Sequence, residues 1–296
     1  EPKFIITNDS GEDKIVKITL NEKYEVVIED VSSIVTTWAE LKYRIDNTSI
    51  SEIEITKDLV PTIEIRIERA IKISAQNNKT ISRDQNYTGT FFIVPTASLE
   101  LSNITLDGGN KNYINATGPL IWAESRSTSL TLTNCILQNN TIVNPENNPT
   151  YEQGGAVKTE QPFTMNGGSI IDCHGSNGGA VYTFDNGSFT MNGGSISGCT
   201  ATENGNAVYI GSGNLTLSGD AEIISDVYIA NENSVIVAGD LTKDKVATIT
   251  LPSYDVDRQV ITAANGVTLA DKVGKFTLKN ENYKISDDGR VAQNSG

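Results

Sequence analysis

Two glutamates, Glu124 and Glu160, stand two residues beyond matching positions, Trp122 in one segment and Lys158 in another. Carboxylates about 5 Å apart can cleave glycosidic bonds by acid–base and nucleophilic catalysis. Adjacent turns of a repeating fold would give that separation. Solvated surface acids are the alternative, and they are favoured because no Asp-Asp pair or Gly-His-Gly run accompanies the two glutamates. No catalytic residue is therefore assigned, with Glu124 and Glu160 kept as the alternative.

The only histidine, His174, lies in Asp172-Cys-His-Gly175. A metal site needs several converging His or Cys ligands, so no metal is expected there. Cys173 beside His174 could form a nucleophile–base pair. In the repeat, however, Cys173 aligns with Cys199 and Asn139, which points to a buried turn ladder of free thiols. Three cysteines, an odd number, leave no disulfide framework. Asp107-Gly-Gly-Asn110 lacks the Gly-Gly-x-Gly-x-Asp series of a calcium roll. Sequons such as Asn86-Tyr-Thr88, Asn115-Ala-Thr117 and Asn186-Gly-Ser188 follow from an Asn- and Thr-rich composition. No cofactor is expected.

Aromatic residues offer a different chemistry. Gly154-Gly-Ala-Val157, Gly178-Gly-Ala-Val181 and the weaker Gly205-Asn-Ala-Val208 align with one another. If each valine points inward, strand alternation turns Lys158, Tyr182 and Tyr209 outward. Pro119-Leu-Ile121-Trp122 aligns upstream and adds Trp122; two residues further on come Glu124, Glu160 and Phe184. Trp122, Lys158, Tyr182, Phe184 and Tyr209 are thus the candidate ligand-binding strip, fit for sugar rings or a protein surface. Alternatively, the aromatics only stack on one another and stabilise the sheet. The irregular stretch 138–153, with Asn144-Pro-Glu-Asn-Asn-Pro149 at its centre, is expected to project beside the strip, as a groove wall or as plain disorder.

Repeats must position these residues. Phe163-Thr-Met-Asn-Gly-Gly-Ser-Ile170 returns letter for letter as Phe189-Thr-Met-Asn-Gly-Gly-Ser-Ile196, 26 residues later. Self-similarity at such a period means a stack of one supersecondary unit. Short period-two runs separated by Asn-Gly turns read as parallel strands. Looser copies at Ser98–Asn103, Ser129–Asn134 and Asn214–Ser218 give two inward columns. One is Leu99, Leu130, Phe163, Phe189 and Leu215; the other is Leu101, Leu132, Met165, Met191 and Leu217. About seven coils are expected over residues 50–230.

The ends differ, as exposed solenoid edges require. Thr37-Trp-Ala-Glu40 is a capping-box pattern, and Trp38, Leu41 and Ile45 follow at helical spacing. Two strands are expected before this helix, at Lys14–Leu20 and Tyr24–Ile28, and a closing hairpin with an Asp-Gly turn at Tyr283–Val291. Three regions result: 1–49, a β element and capping helix; 50–230, the β-helix; 231–296, a β-rich continuation and cap.

The pairing of Gly-Gly-Ala-Val with Phe-x-x-Asn, at Gly154–Val157 with Phe163–Asn166 and at Gly178–Val181 with Phe189–Asn192, resembles the tetrapeptide repeats of chlamydial polymorphic membrane proteins. The surrounding wording is also similar to repeats in surface proteins and lipoproteins of gut Bacteroidetes, Firmicutes and oral spirochaetes. These motifs cover residues 150–220 and are structural, so they carry no catalytic residue. No outer-membrane barrel follows and only two full motif pairs are present, so autotransport is not expected. The resemblance implies an all-β chain: a single-stranded right-handed parallel β-helix, a solenoid of the pectate-lyase-like type, with a short N-terminal capping helix and a C-terminal β cap.

A formal charge of −14 and a pI near 4.5 argue against nucleic acid or anionic lipid as partner. No run of 18 apolar residues predicts a membrane span. The opening Glu1-Pro-Lys3 reads as the start of a processed chain, so membrane attachment is expected only through a lost N-terminal anchor. The leading expectation is a non-catalytic binding protein or adhesin on a bacterial cell surface, anchored at the outer membrane or secreted. Its partner would be a host or neighbouring-cell surface protein or glycan, and it is expected to be a monomer. The alternatives are a secreted carbohydrate-active enzyme (polysaccharide lyase or glycoside hydrolase) and a purely structural surface protein.

Overall fold

The computed structural model describes residues 3–7, 13–24, 26–30, 33–109, 116–124, 129–143 and 153–294. Among these residues the strands stack in parallel into a β-helix built from three parallel sheets, accompanied by two small antiparallel elements, one α-helix and a short 3-10 turn at Val273–Lys275. The exact repeat sets the register. Phe163 pairs with Phe189 and Met165 with Met191 on neighbouring rungs. The two phenyl rings stack face to face, 4.7 Å apart and 6° from parallel. The two expected inward columns form as read and extend to Val235 and Ile261 in one case, Val237 in the other. Apart from traces at Leu101, Leu132 and Met165, these side chains are closed to solvent.

The Gly-Gly-Ala-Val motif is explained by the corner it turns. Gly154, Gly178 and Gly205 all have φ between +66° and +69°. A Cβ at any of them would drive into the carbonyl oxygen three residues on, that of Val157, Val181 or Val208. Only glycine takes this corner without strain. The alanines and valines that follow (Ala156, Val157, Ala180, Val181, Ala207, Val208) are fully buried, so the motif fills the core and frees the next residue to face out.

That next residue lies on a nine-stranded sheet with rungs at Ile65–Arg66, Phe92–Val94, Ile121–Ala123, Val157–Thr159, Val181–Thr183, Val208–Ile210, Asp226–Ile229, Ala247–Thr250 and Phe276–Leu278. A twelve-stranded sheet carries the phenylalanine and methionine columns, and His174–Asn177 with Thr200–Asn204 makes the small third sheet. Stacking continues past residue 230, through Val235–Leu241 (with one register shift, between Leu217 and Gly219 on the neighbouring rung), Ala247–Thr250, Ile261–Ala263 and Phe276–Leu278.

The capping helix is Trp38–Asn47, with Thr37 as N-cap accepting from the Glu40 amide. The Glu40 carboxylate returns to Thr36, accepting from its amide at 2.8 Å, one residue earlier than a capping box requires. Trp38, Leu41 and Ile45 are buried as expected. Trp38 packs against Phe91 and Phe92 and donates its indole N–H to the Ile63 carbonyl at 2.8 Å. The N-terminal element has three antiparallel strands rather than two, because Lys3–Thr7 joins Asp13–Leu20 and Val26–Asp30. At the far end Tyr283–Ile285 and Val291–Gln293 form the expected hairpin, with Gly289 at φ +83°. Tyr283 stacks on Tyr254 at 5.3 Å.

Candidate functional site

Register on the nine-stranded sheet brings together the residues that alternation turned outward. Trp122 pairs with Lys158, Lys158 with Tyr182, Tyr182 with Tyr209, and Tyr209 with Tyr228. Tyr228 extends the expected column by one rung. Its signal was present: Val208-Tyr-Ile210 returns as Val227-Tyr-Ile229, but without the glycines that mark the earlier copies. Upstream the column continues through Ile93 to Arg66.

Most of the strip is less open than expected. Tyr182 and Tyr209 stack at 5.0 Å and 26°, and Tyr209 and Tyr228 at 4.9 Å and 14°. All three are half-buried. Ring faces are spent on one another, and side chains standing perpendicular to the sheet leave phenol oxygens and ring edges for solvent. Burial raises the phenol pKa of Tyr182 and Tyr209; neighbouring phenols and the Glu203 carboxylate add to it, and for Tyr182 also Asp185. A Gln153 side chain hydrogen-bonds Tyr182 and works the other way.

Lys158 departs most from the expectation of an exposed side chain, being only 6% exposed. Its ammonium lies 4.9 Å from the Trp122 ring centre and 5.2 Å from that of Phe184, a cation held by two aromatic rings. Burial depresses its pKa, and the charges of Glu160 and Glu124 counter that shift. Among the described residues the buried indole Nε1 of Trp122 has no hydrogen-bond partner.

Glu124 and Glu160 sit on successive rungs, since the Glu160 amide donates to the Ala123 carbonyl at 2.9 Å. Both are partly exposed. Arg66 contacts the Glu124 carboxylate at 3.4 Å and Glu64 at 3.7 Å. The two acids are therefore set among cations, Arg66 on one side and Lys158 on the other. Residues 144–152 of the long insertion lie outside the described residues, as do Asn110 and Asn115.

Cys173 and Cys199 occupy one inward column, 1% and 3% exposed, with the Cys173 amide donating to the Cys199 sulfur at 3.4 Å. Burial raises the Cys173 thiol well above its ordinary range. All three cysteines are free thiols. The third member of this column is Asn140 rather than Asn139, because the His174 amide donates to the Asn140 carbonyl. Asn139 instead shares the corner with Asp172 and Gly198, all three at positive φ. A corner that needs left-handed backbone takes Asn, Asp or Gly. His174 bonds the Thr200 hydroxyl at 2.8 Å. Among the described residues no group of three or more His, Cys, Asp or Glu side chains could hold a metal ion, and no helix is long and apolar enough to cross a membrane.

Fold and strip together define a parallel β-helix with an aromatic, acid-bordered column along one sheet. No family model, curated protein or solved structure matches the chain.

Proposed function

We propose that this chain is a non-catalytic binding protein of a bacterial cell surface, an adhesin that engages its partner along the long side of the β-helix. The observation that carries this reading is the continuous outward column from Trp122 to Tyr228 on a single sheet. A rigid solenoid holds such side chains at fixed spacing, so little ordering entropy remains to be lost on docking. Aromatic anchors dominate many binding surfaces. The Asn-, Thr- and Ser-rich composition and the repeat wording support a surface location.

The test is attachment of purified protein to host cells and to a glycan array, with Trp122→Ala and Tyr182→Ala combined. Binding should fall at least tenfold, roughly the loss of one hot spot, while circular dichroism and melting stay near wild type. Unaltered attachment by the double variant overturns the reading.

The adjacency of Glu124 and Glu160 favours a second reading, a secreted polysaccharide-cleaving enzyme. It predicts depolymerisation of some polysaccharide that either Glu124→Gln or Glu160→Gln abolishes. On the binding reading the same two changes alter attachment only slightly, because rim charges act mainly on association rate.

A further inference from the structure

We infer, on the basis of the binding reading above, that the strip's partner is a basic protein segment, whose lysine or arginine side chains seat against the Tyr182–Tyr209–Tyr228 ladder between Asp185 and Glu203. Three observations carry this, and the first is charge. Asp185 follows the rung Val181–Thr183 at one side of the ladder, and Glu203 lies on the strand Thr200–Asn204 that leads into the rung Val208–Ile210 at the other. Both are exposed. Glu203 is close enough for its charge to act on Tyr182 and Tyr209, and Asp185 acts on Tyr182. Glu124 and Glu160 lie further along, towards Trp122, where Arg66 and Lys158 already face them, so the acids left for a partner are Asp185 and Glu203. The whole chain carries −14, so an anionic partner would be repelled both locally and at long range.

The second observation is that the fold already performs this recognition once, within itself. Lys158 places its ammonium over Trp122 and Phe184 with two carboxylates in range. One rung on, the same column turns to tyrosine, again beside carboxylates. Ammonium and guanidinium groups that find a ring, phenol oxygens and a carboxylate together are held by cation–π attraction and charge-assisted hydrogen bonds.

The third observation separates a basic peptide from a neutral glycan. A sugar ring binds by lying flat on an exposed aromatic face, but Tyr209 has a neighbouring tyrosine on each face. The ladder instead presents its phenol oxygens in a row at the rung spacing of about 4.8 Å, that of Tyr182 already sharing a hydrogen bond with Gln153. Such oxygens accept hydrogen bonds from cationic donors.

The experiment is titration calorimetry of the purified chain with three probes: a decapeptide alternating Lys and Ser, its Glu–Ser counterpart, and a neutral β-linked glucan hexasaccharide. Asp185→Asn combined with Glu203→Gln is compared with Asp244→Asn combined with Asp287→Asn, which removes the same charge from exposed positions elsewhere. The Lys–Ser peptide should bind, and more weakly as salt rises. The strip variant should weaken it about tenfold and the control variant less than twofold, since steering by net charge alone treats both alike. Equal losses in the two variants, or no binding of the Lys–Ser peptide, overturn the inference. Preferential glucan or Glu–Ser binding that Tyr182→Ala abolishes also overturns it, while leaving the binding reading intact. Asp185→Asn suits a position at φ +54°, where Asn is tolerated, so the variant keeps its fold.

Discussion

At the scale of single residues, stability rests on side chains with a like neighbour above and below. Phe189 has Phe163 on one side and Leu215 on the other, and none of the three is exposed. Phe189→Ala should therefore cost about 3–5 kcal/mol in chemical denaturation, because stacked rungs cannot collapse far into the void. Thr190→Ala, one residue on and facing out, should cost far less. Cys173 and Cys199 give a second residue-scale prediction. Thiol titration of the native protein should find both slow to react, and labelling should become fast only in denaturant, because both side chains are shut off from solvent. Burial also keeps the Cys173 thiol protonated, whereas the Cys199 thiol is lowered by its hydrogen bond with Cys173 and is protected by shielding alone. Rapid native labelling of either would contradict the inward column.

At the scale of elements, corners and caps decide where strands may start. Gly178→Ala should destabilise by more than the ~1 kcal/mol of a positive φ alone, because its Cβ also meets the Val181 carbonyl. Thr37→Ala should cost about 1 kcal/mol by removing the helix cap, read as a lower melting temperature with unchanged strand signal. Elements also show what the sequence could and could not convey. The phenylalanine and methionine columns were legible because an identical octapeptide leaves one register open. Which asparagine continues the cysteine column, Asn139 or Asn140, is not legible in the sequence, because the doublet offers two asparagines to one corner and only backbone pairing distinguishes them. Tyr228 is not marked by the motif in the sequence, because Ile224 and Ser225 stand where the earlier copies have glycines or Gly-Asn, and Asp226 stands where they have alanine. The burial of Lys158 could not be read locally, because it depends on Trp122, 36 positions earlier, and on Phe184, 26 later, meeting around it.

At the scale of the whole molecule, each rung touches only its neighbours, so rungs should be removable as units. The exact repeat makes one removal unusually clean. Deleting residues 163–188 joins Pro162 to Phe189 and restores the wording Pro-Phe-Thr-Met-Asn-Gly-Gly-Ser-Ile across the junction. Phe189 would then stack on Leu130 and Leu215 as neighbours, and Val157 would pair with Val208. The shortened chain should fold cooperatively with the same far-UV spectrum per residue and a modestly lower denaturation midpoint. Its strip, however, loses Tyr182 and Phe184, leaving Lys158 beside Tyr209 with one of its two rings gone. Attachment should therefore fall even though the scaffold survives, by at least as much as in the Trp122→Ala, Tyr182→Ala double variant. A shortened chain that folds and attaches at full strength would mean the partner docks on another face. A chain that fails to fold would mean that coils 26 residues apart are less interchangeable than their identical octapeptides imply.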